Sequence, residues 1–281
     1  MKILITGGAG FIGTNLCRKL VDKYDVYSLD NYSIGSKENH INGVNYIESD
    51  INDIESVLEN DFDVCFHLAG LSRIYPSFDN PSDTFKSNTT GVVSVIEWCR
   101  KNNTKIIYSG SSSRHYDHYQ SPYATYKFLG EEVCKMYKRV YKLNIQITRF
   151  YNVYGPYEIT KGKWAAVIGI WRNQIKECNP LTIVGNGEQK RDFTHVDDIT
   201  QALESLITSN ENNEDAWELG TGLNYSINEV ASMFVERFNT KLKYIDDQPG
   251  NYRETLRKNT LSMDKLNFNP SDKLYKYIMS L

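Results

Sequence analysis

The chain lacks most of the features that mark membrane proteins, secreted disulfide scaffolds and nucleic-acid binders. No run of about 18 apolar residues occurs in its 281 positions, so nothing reads as a membrane-crossing helix. The net charge is only -3, which gives no electrostatic case for nucleic acid or an anionic membrane as the main partner. Cysteine is scarce and unpatterned: Cys17, Cys65, Cys99, Cys134 and Cys178 are odd in number, widely spaced and without a CxxC pair, and they read as reduced residues. No metal is expected, since His115 and His118 with Asp117 crowd one short loop without a fourth partner. No charged-then-apolar leader stands ahead of Lys2-Ile3-Leu4-Ile5, and the expected location is cytoplasmic. Internal repeats and low-complexity tracts are absent as well.

What is present is an ordinary globular composition, 40% hydrophobic and 24% charged, in a chain long enough to bury an ample core. Short apolar runs near residues 2-6, 25-29, 44-48, 63-68, 104-109 and 144-149 alternate with amphipathic stretches. That rhythm predicts an α/β fold with a Rossmann-type, doubly wound parallel sheet. The regularity weakens after Tyr154-Gly155-Pro156. A dinucleotide-binding domain over 1-156 and a second, smaller C-terminal α/β substrate domain over 157-281 are expected, with about 192-222 returning to the first. Strands at 181-184 and 242-245, and a helix whose capping box joins Ser226 to Glu229, belong to the later part.

Thr6-Gly7-Gly8-Ala9-Gly10-Phe11-Ile12-Gly13 follows the first strand and opens a helix. Here the missing side chains let the backbone turn sharply and present N–H groups and the positive end of the helix dipole to a pyrophosphate. The plain alternative is a tight strand-to-helix turn. Asp30, ending the second strand 20 residues after Gly10, favours the phosphate site, because its carboxylate suits ribose hydroxyls and repels a 2′-phosphate. Asn31 follows with no neighbouring arginine, so NAD is preferred over NADP. Asp50-Ile51 after the third strand has two readings, an adenine cap or a helix N-cap.

Tyr123 and Lys127 stand one turn apart on a helix opened by Ser121-Pro122. Tyr and Lys at this spacing also occur by chance on solvated helices. The serine run Ser109-Gly110-Ser111-Ser112-Ser113 ends the preceding strand, where parallel-sheet sites gather, or else is simply a polar loop.

Taken in order, TGGAGFIG, Asp30-Asn31, His67-Leu68-Ala69-Gly70, Asn88, the serine run, Tyr123/Lys127, Arg149 through Pro156 and Gly185 through Asp198 resemble the extended short-chain dehydrogenase/reductases, specifically the NAD-dependent nucleotide-sugar epimerase/dehydratase group. The resemblance implies that Ser111, Tyr123 and Lys127 are catalytic. It implies cofactor contacts from Gly7, Gly10, Phe11, Ile12, Gly13, Asp30, Asn31, Asp50, Ile51, Leu68, Ala69, Gly70, Asn88, Tyr123, Lys127 and Phe150. On the substrate it implies Ser111 and Ser112 at the sugar and Asn152 and Arg191 at the pyrophosphate. For Arg191 the alternative is an ion pair with Asp192 or Asp198. Arg73 reads equally as a contact to the sugar or a sugar carboxylate and as a surface arginine at a helix start.

Three departures qualify the resemblance. Ser112 and Ser113 stand where dehydratases and decarboxylating relatives carry an acid, which ranks a 4-epimerase above a dehydratase, with a dehydrogenase/reductase as a further alternative. The Ser111-to-Tyr123 connection spans only 12 positions and is short for the group. Gln248 takes the place of a second phosphate-binding arginine, for which Arg253 is the candidate substitute, and the stretch after Phe268-Asn269-Pro270 reads as a trimmed substrate domain. A non-catalytic NAD-binding module is the reading from another class, and it has no need of Ser111, Tyr123 and Lys127 together. A homodimer is expected through the helices around 82-101 and 122-142, where Val92, Val95, Trp98, Phe128, Met136 and Tyr137 are either contact or core.

Overall fold

A computed structural model of the chain describes residues 1–59 and 61–281. The six expected strands form as β1 (Lys2–Thr6), β2 (Asp25–Asp30), β3 (Asn45–Glu48), β4 (Val64–His67), β5 (Lys105–Ser111) and β6 (Ile145–Phe150). All pair in parallel in the order β6-β5-β4-β1-β2-β3, and a seventh strand, Trp217–Leu219, adds in parallel beyond β6. The chain therefore enters at the middle of the sheet, builds to one edge, then crosses over to β4. Connections leave β1 and β4 in opposite directions, which opens a crevice above their carboxyl ends.

Both faces of this sheet are covered, as a parallel sheet requires. The two-residue period of β1 divides its side chains between two cores. Leu4 packs with Leu29, Cys65, Val95, Trp98 and Ile106 on one side. Ile3 and Ile5 pack on the other with Leu16 and Leu20 of α1 (Phe11–Leu20), and with Ile199, Leu203 and Leu206 of the helix Val196–Thr208. Residues well past 157 thus return to the central sheet, both as that helix and as the strand Trp217–Leu219.

A third core gathers Tyr154, Trp171, Leu181, Ile183, Phe193, Val230, Phe234, Leu274 and Ile278. Around it the strand Leu181–Val184 pairs in parallel with Leu242–Ile245, and Lys190–Asp192 pairs antiparallel with Asn224–Ser226. The helix Ile227–Phe238 opens on the full Ser226/Glu229 capping box.

The helix expected over 82-101 is interrupted. Pro81–Phe85 and Gly91–Asn102 are α-helical, but Lys86–Thr90 widens into a π turn, and it is this turn that carries Asn88. Buried Arg149 of β6 ties the later segments to the sheet. Its guanidinium donates to Glu131, to both oxygens of Asp215 at 2.8 and 2.9 Å, and to Glu218 of the seventh strand at 2.8 Å. Removing one member of such a buried cluster costs about 3–5 kcal/mol, since it strands the remaining charges.

Candidate active site

The crevice is one cleft of about 1110 Å³. Its cofactor half begins at the glycine turn. Gly7 has φ +74° and donates its N–H to Leu29 O at 2.8 Å, and a Cβ there would sit 2.8 Å from the Ala69 nitrogen. A Cβ on Gly13 would meet Gly7 O at 2.1 Å, so α1 can lie this close to the turn only without it. Gly10 caps α1 without a side-chain acceptor, which leaves the first N–H groups of the helix to an outside anion. Asp30 receives the N–H groups of Ala9 at 3.0 Å and Tyr32 at 2.8 Å. Burial raises its carboxyl pKa, and those two donors hold the rise back. Glycines that permit close approach, free helix-start donors and a fixed carboxylate at the end of β2 fit an adenine dinucleotide. Asp50 does cap the short helix Ile51–Asp53 through Asn52 N at 2.9 Å, and it still faces the cleft, where Asn31 donates to its other oxygen at 3.0 Å.

The catalytic residues meet at the carboxyl end of β5. Ser121 caps the helix Pro122–Tyr141 by accepting from Ala124 N at 3.1 Å, and Pro122 supplies a preset first turn. That fixes Tyr123 on the cleft wall, where its hydroxyl donates to Ser111 Oγ at 3.3 Å. β5 runs to Ser111 rather than stopping at 109, so the acceptor sits on the last residue of a strand. Lys127 Nζ donates to Ser109 O at 2.6 Å rather than to Tyr123. Burial pushes the Lys127 ammonium down to about 8. Burial likewise raises the Tyr123 phenol, opposed by the Ser111 hydrogen bond and the charge of Arg73. In the resting site Tyr123 therefore holds its proton, and Arg73 is the protein cation whose charge it senses.

Opposite this wall lies a surface drawn from the C-terminal half. Arg191 takes no carboxylate partner among the described residues: Nη1 donates to Lys190 O at 2.8 Å and Nη2 to Asn251 Oδ1 at 2.6 Å. Asp192 is occupied by Thr221, Gly222 and Arg257, and Asp198 is paired with Lys273. The ion-pair alternative for Arg191 thus fails. Desolvation lowers its pKa to about 10, the mark of a guanidinium poorly compensated in its own structure. Asn152 donates to Thr255 Oγ1 at 2.9 Å beside it. Half-buried Arg73 reaches across to Trp164 O at 2.9 Å, so it is a cleft residue and not a free surface arginine.

A family model described as NAD dependent epimerase/dehydratase matches residues 3–220. The chain belongs to that family. A putative UDP-glucose 4-epimerase of Methanocaldococcus jannaschii is 33% identical over 265 residues, covering 88% of this chain and 86% of that protein. The structure of a UDP-N-acetylglucosamine 4-epimerase from Methanobrevibacter ruminantium, in complex with UDP-N-acetylmuramic acid, superposes with a TM-score of 0.91 at 29% identity over 99% of this chain and 96% of that one. A UDP-glucuronic acid 4-epimerase from Bacillus cereus, in complex with UDP-glucuronic acid and NAD, gives 0.87 at 25% identity, again over 99% and 96%. NAD is accordingly the cofactor.

Within this family member, every expected site residue lines the one cleft except Asn88. The Asn88 amide is spent on Leu71, donating to its carbonyl and accepting from its N–H at 2.8 Å each, so it shapes the loop after β4 from behind. Arg253 does not replace the missing arginine at Gln248: it is exposed and borders a neighbouring hollow, while Gln248 itself lines the cleft. The short loop after Ser111 is held by His115, whose Nε2 lies 2.8 Å from Glu218 Oε1. Sequence reasoning missed that anchor, and it missed Glu158 and Tyr252 on the cleft wall, which no local motif announces.

Proposed function

We propose that the protein is a nucleotide-sugar 4-epimerase that works through a 4-keto intermediate. The observation that carries this reading is the Tyr123–Ser111 hydrogen bond, set in the same cleft as the glycine turn and faced by the carboxylate-free Arg191. Bound NAD supplies the acceptor, and later the donor, of a hydride at sugar C4. Tyr123 takes the proton of the C4 hydroxyl while Ser111 holds that oxygen by a hydrogen bond. Because burial keeps Tyr123 protonated at rest, the phenolate needs added positive charge: Arg73 already supplies some of it, and Lys127 and the oxidised ring would add theirs once NAD is bound. Arg191 grips the pyrophosphate by charge-assisted hydrogen bonds while the keto sugar turns; the hydride would then return to the opposite face of C4 as Tyr123 returns the proton to the C4 oxygen. Ser112 and Ser113 offer no acid for eliminating water, which weighs against a dehydratase.

The same proposal includes the two-domain division near residue 156, with about 192-222 rejoining the first, a cytoplasmic location and a homodimer. Val92, Val95, Trp98 and Tyr137 are core, and Phe128 is covered by His118 and Arg114. The dimer rests instead on Phe85, Leu129, Met136 and Val140, exposed on the two helices, and sedimentation as a monomer at micromolar protein removes it.

The test is to incubate the holoenzyme with UDP-glucose, UDP-N-acetylglucosamine and UDP-glucuronic acid and to follow sugar stereochemistry by NMR and the nicotinamide band by absorbance. A C4 epimer with no net absorbance change is expected, and Tyr123→Phe should lose about 10²–10⁴-fold in turnover while retaining NAD. Stoichiometric accumulation of reduced cofactor, or near-normal turnover by the variant, overturns the assignment.

A further inference from the structure

The loop between the strand Leu242–Ile245 and the Thr255 region lies against the start of the helix that carries Tyr123. Gly250 makes the approach possible. It has φ +73°, and a Cβ there would sit 2.7 Å from Ile74 Cγ2 and 3.8 Å from Ser121 Cβ, two residues before Tyr123. Asn251 fixes the loop at both ends of its own amide, donating to Asp247 Oδ1 at 2.9 Å and accepting from Arg191 Nη2 at 2.6 Å. The next residue is Tyr252. Its ring stacks on Tyr116 of the shortened loop at 4.5 Å between centroids and 23° between planes. Its hydroxyl is buried and has no hydrogen-bond partner among the described residues, although the residue lines the cleft that holds Tyr123.

We propose that Tyr252 is a sugar-binding residue, its hydroxyl hydrogen-bonding a hydroxyl or other polar substituent of the sugar that Ser111 and Tyr123 hold for reaction. An unpartnered buried phenol is costly, and a polyhydroxylated ligand in this cleft supplies what it lacks. Placement decides what part of the ligand it meets. Asn251 is bonded to Arg191, the pyrophosphate grip, so the adjacent Tyr252 falls between that grip and the reacting end. The Tyr116 stack ties the ring of Tyr252 to the short Ser111–Tyr123 connection. Burial and the neighbouring Tyr123 push the Tyr252 phenol up to about 12, so it stays a neutral donor when Tyr123 ionises.

This inference rests on the nucleotide-sugar reading, and the experiment separates the two. Tyr252→Phe keeps the stacked ring and deletes only the hydroxyl. With the best substrate of the UDP-sugar panel, kcat/KM of the NAD-loaded variant should fall about three- to tenfold, mainly through KM. Calorimetric affinity for that UDP-sugar should weaken by the same factor, while affinity for UDP alone and NAD content stay at wild-type values and thermal melting does not fall, since the deleted hydroxyl had no partner in the free protein. Equal weakening toward UDP and the UDP-sugar, or no change toward either, overturns the inference while wild-type epimerisation leaves the proposed function standing. A wild-type protein that binds and converts none of the panel overturns both.

Discussion

The two walls of the cleft are built for their proposed ligands by different means. The cofactor wall is made chiefly of backbone: consecutive residues 7–13 supply a turn, a helix start and the absence of side chains, and one carboxylate, Asp30, completes it. The substrate wall is made of side chains, Arg73, Glu158, Arg191 and Tyr252, which come from distant segments and meet only once the chain has folded. A backbone site tolerates almost no added atom, whereas a side-chain site loses its contacts one at a time. The largest effect is therefore expected at Gly13→Ala. Its methyl would lie 2.1 Å from Gly7 O, and the neighbour is main chain that cannot swing aside, so α1 must shift from the phosphate turn. The folded variant should purify without NAD and resist loading. Normal dinucleotide in the denatured supernatant would show that the turn has slack the geometry denies.

On the other wall the loss should be graded. Arg191→Ala removes an uncompensated guanidinium rather than half of an ion pair, so the fold should not suffer. Substrate affinity should drop about 10- to 100-fold, the range for charge-assisted hydrogen bonds to phosphate, with NAD content unchanged. Calorimetry with UDP reads this directly, and an unaltered affinity would move the pyrophosphate grip elsewhere.

The same contrast explains what could be read in advance. The strand rhythm, the glycine turn and Asp30 are local signals, and each expected strand formed within a residue or two of its place. The Ser226/Glu229 box likewise needs only three residues of spacing. Arg191 was legible as a candidate, but whether Asp192 would neutralise it depended on Thr221, Gly222 and Arg257, which claim that carboxylate from afar. His115 looked like an ordinary loop residue because its partner Glu218 lies 103 positions away. Asn88 was read as a contact because motif order says nothing about a π turn, which aims the amide at Leu71 instead. Residues whose role is set by a long-range partner carry no local mark.

Glu158 offers the smallest but sharpest test of the substrate wall. Burial raises its carboxyl to about 7 from an ordinary value near 4.5, and Arg172, donating to it at 3.2 Å, recovers only part of that loss, with Arg73 adding less. The folded protein thus holds this proton more tightly than the unfolded chain does. Stability contributed by the group is complete below the unfolded value and falls as pH rises from about 4.5 to about 7, above which the penalty is constant. Glu158→Gln cannot lose that proton. Its melting temperature should vary less than the wild type's between pH 5 and pH 8, by about 2–5 °C, with the variant the more stable of the two at pH 8. The opposite sign, a variant less stable at pH 8 than at pH 5 relative to wild type, would mean that Arg172 and Arg73 outweigh desolvation. The substrate wall would then hold a fixed negative charge facing the cleft rather than a carboxyl that titrates near neutrality.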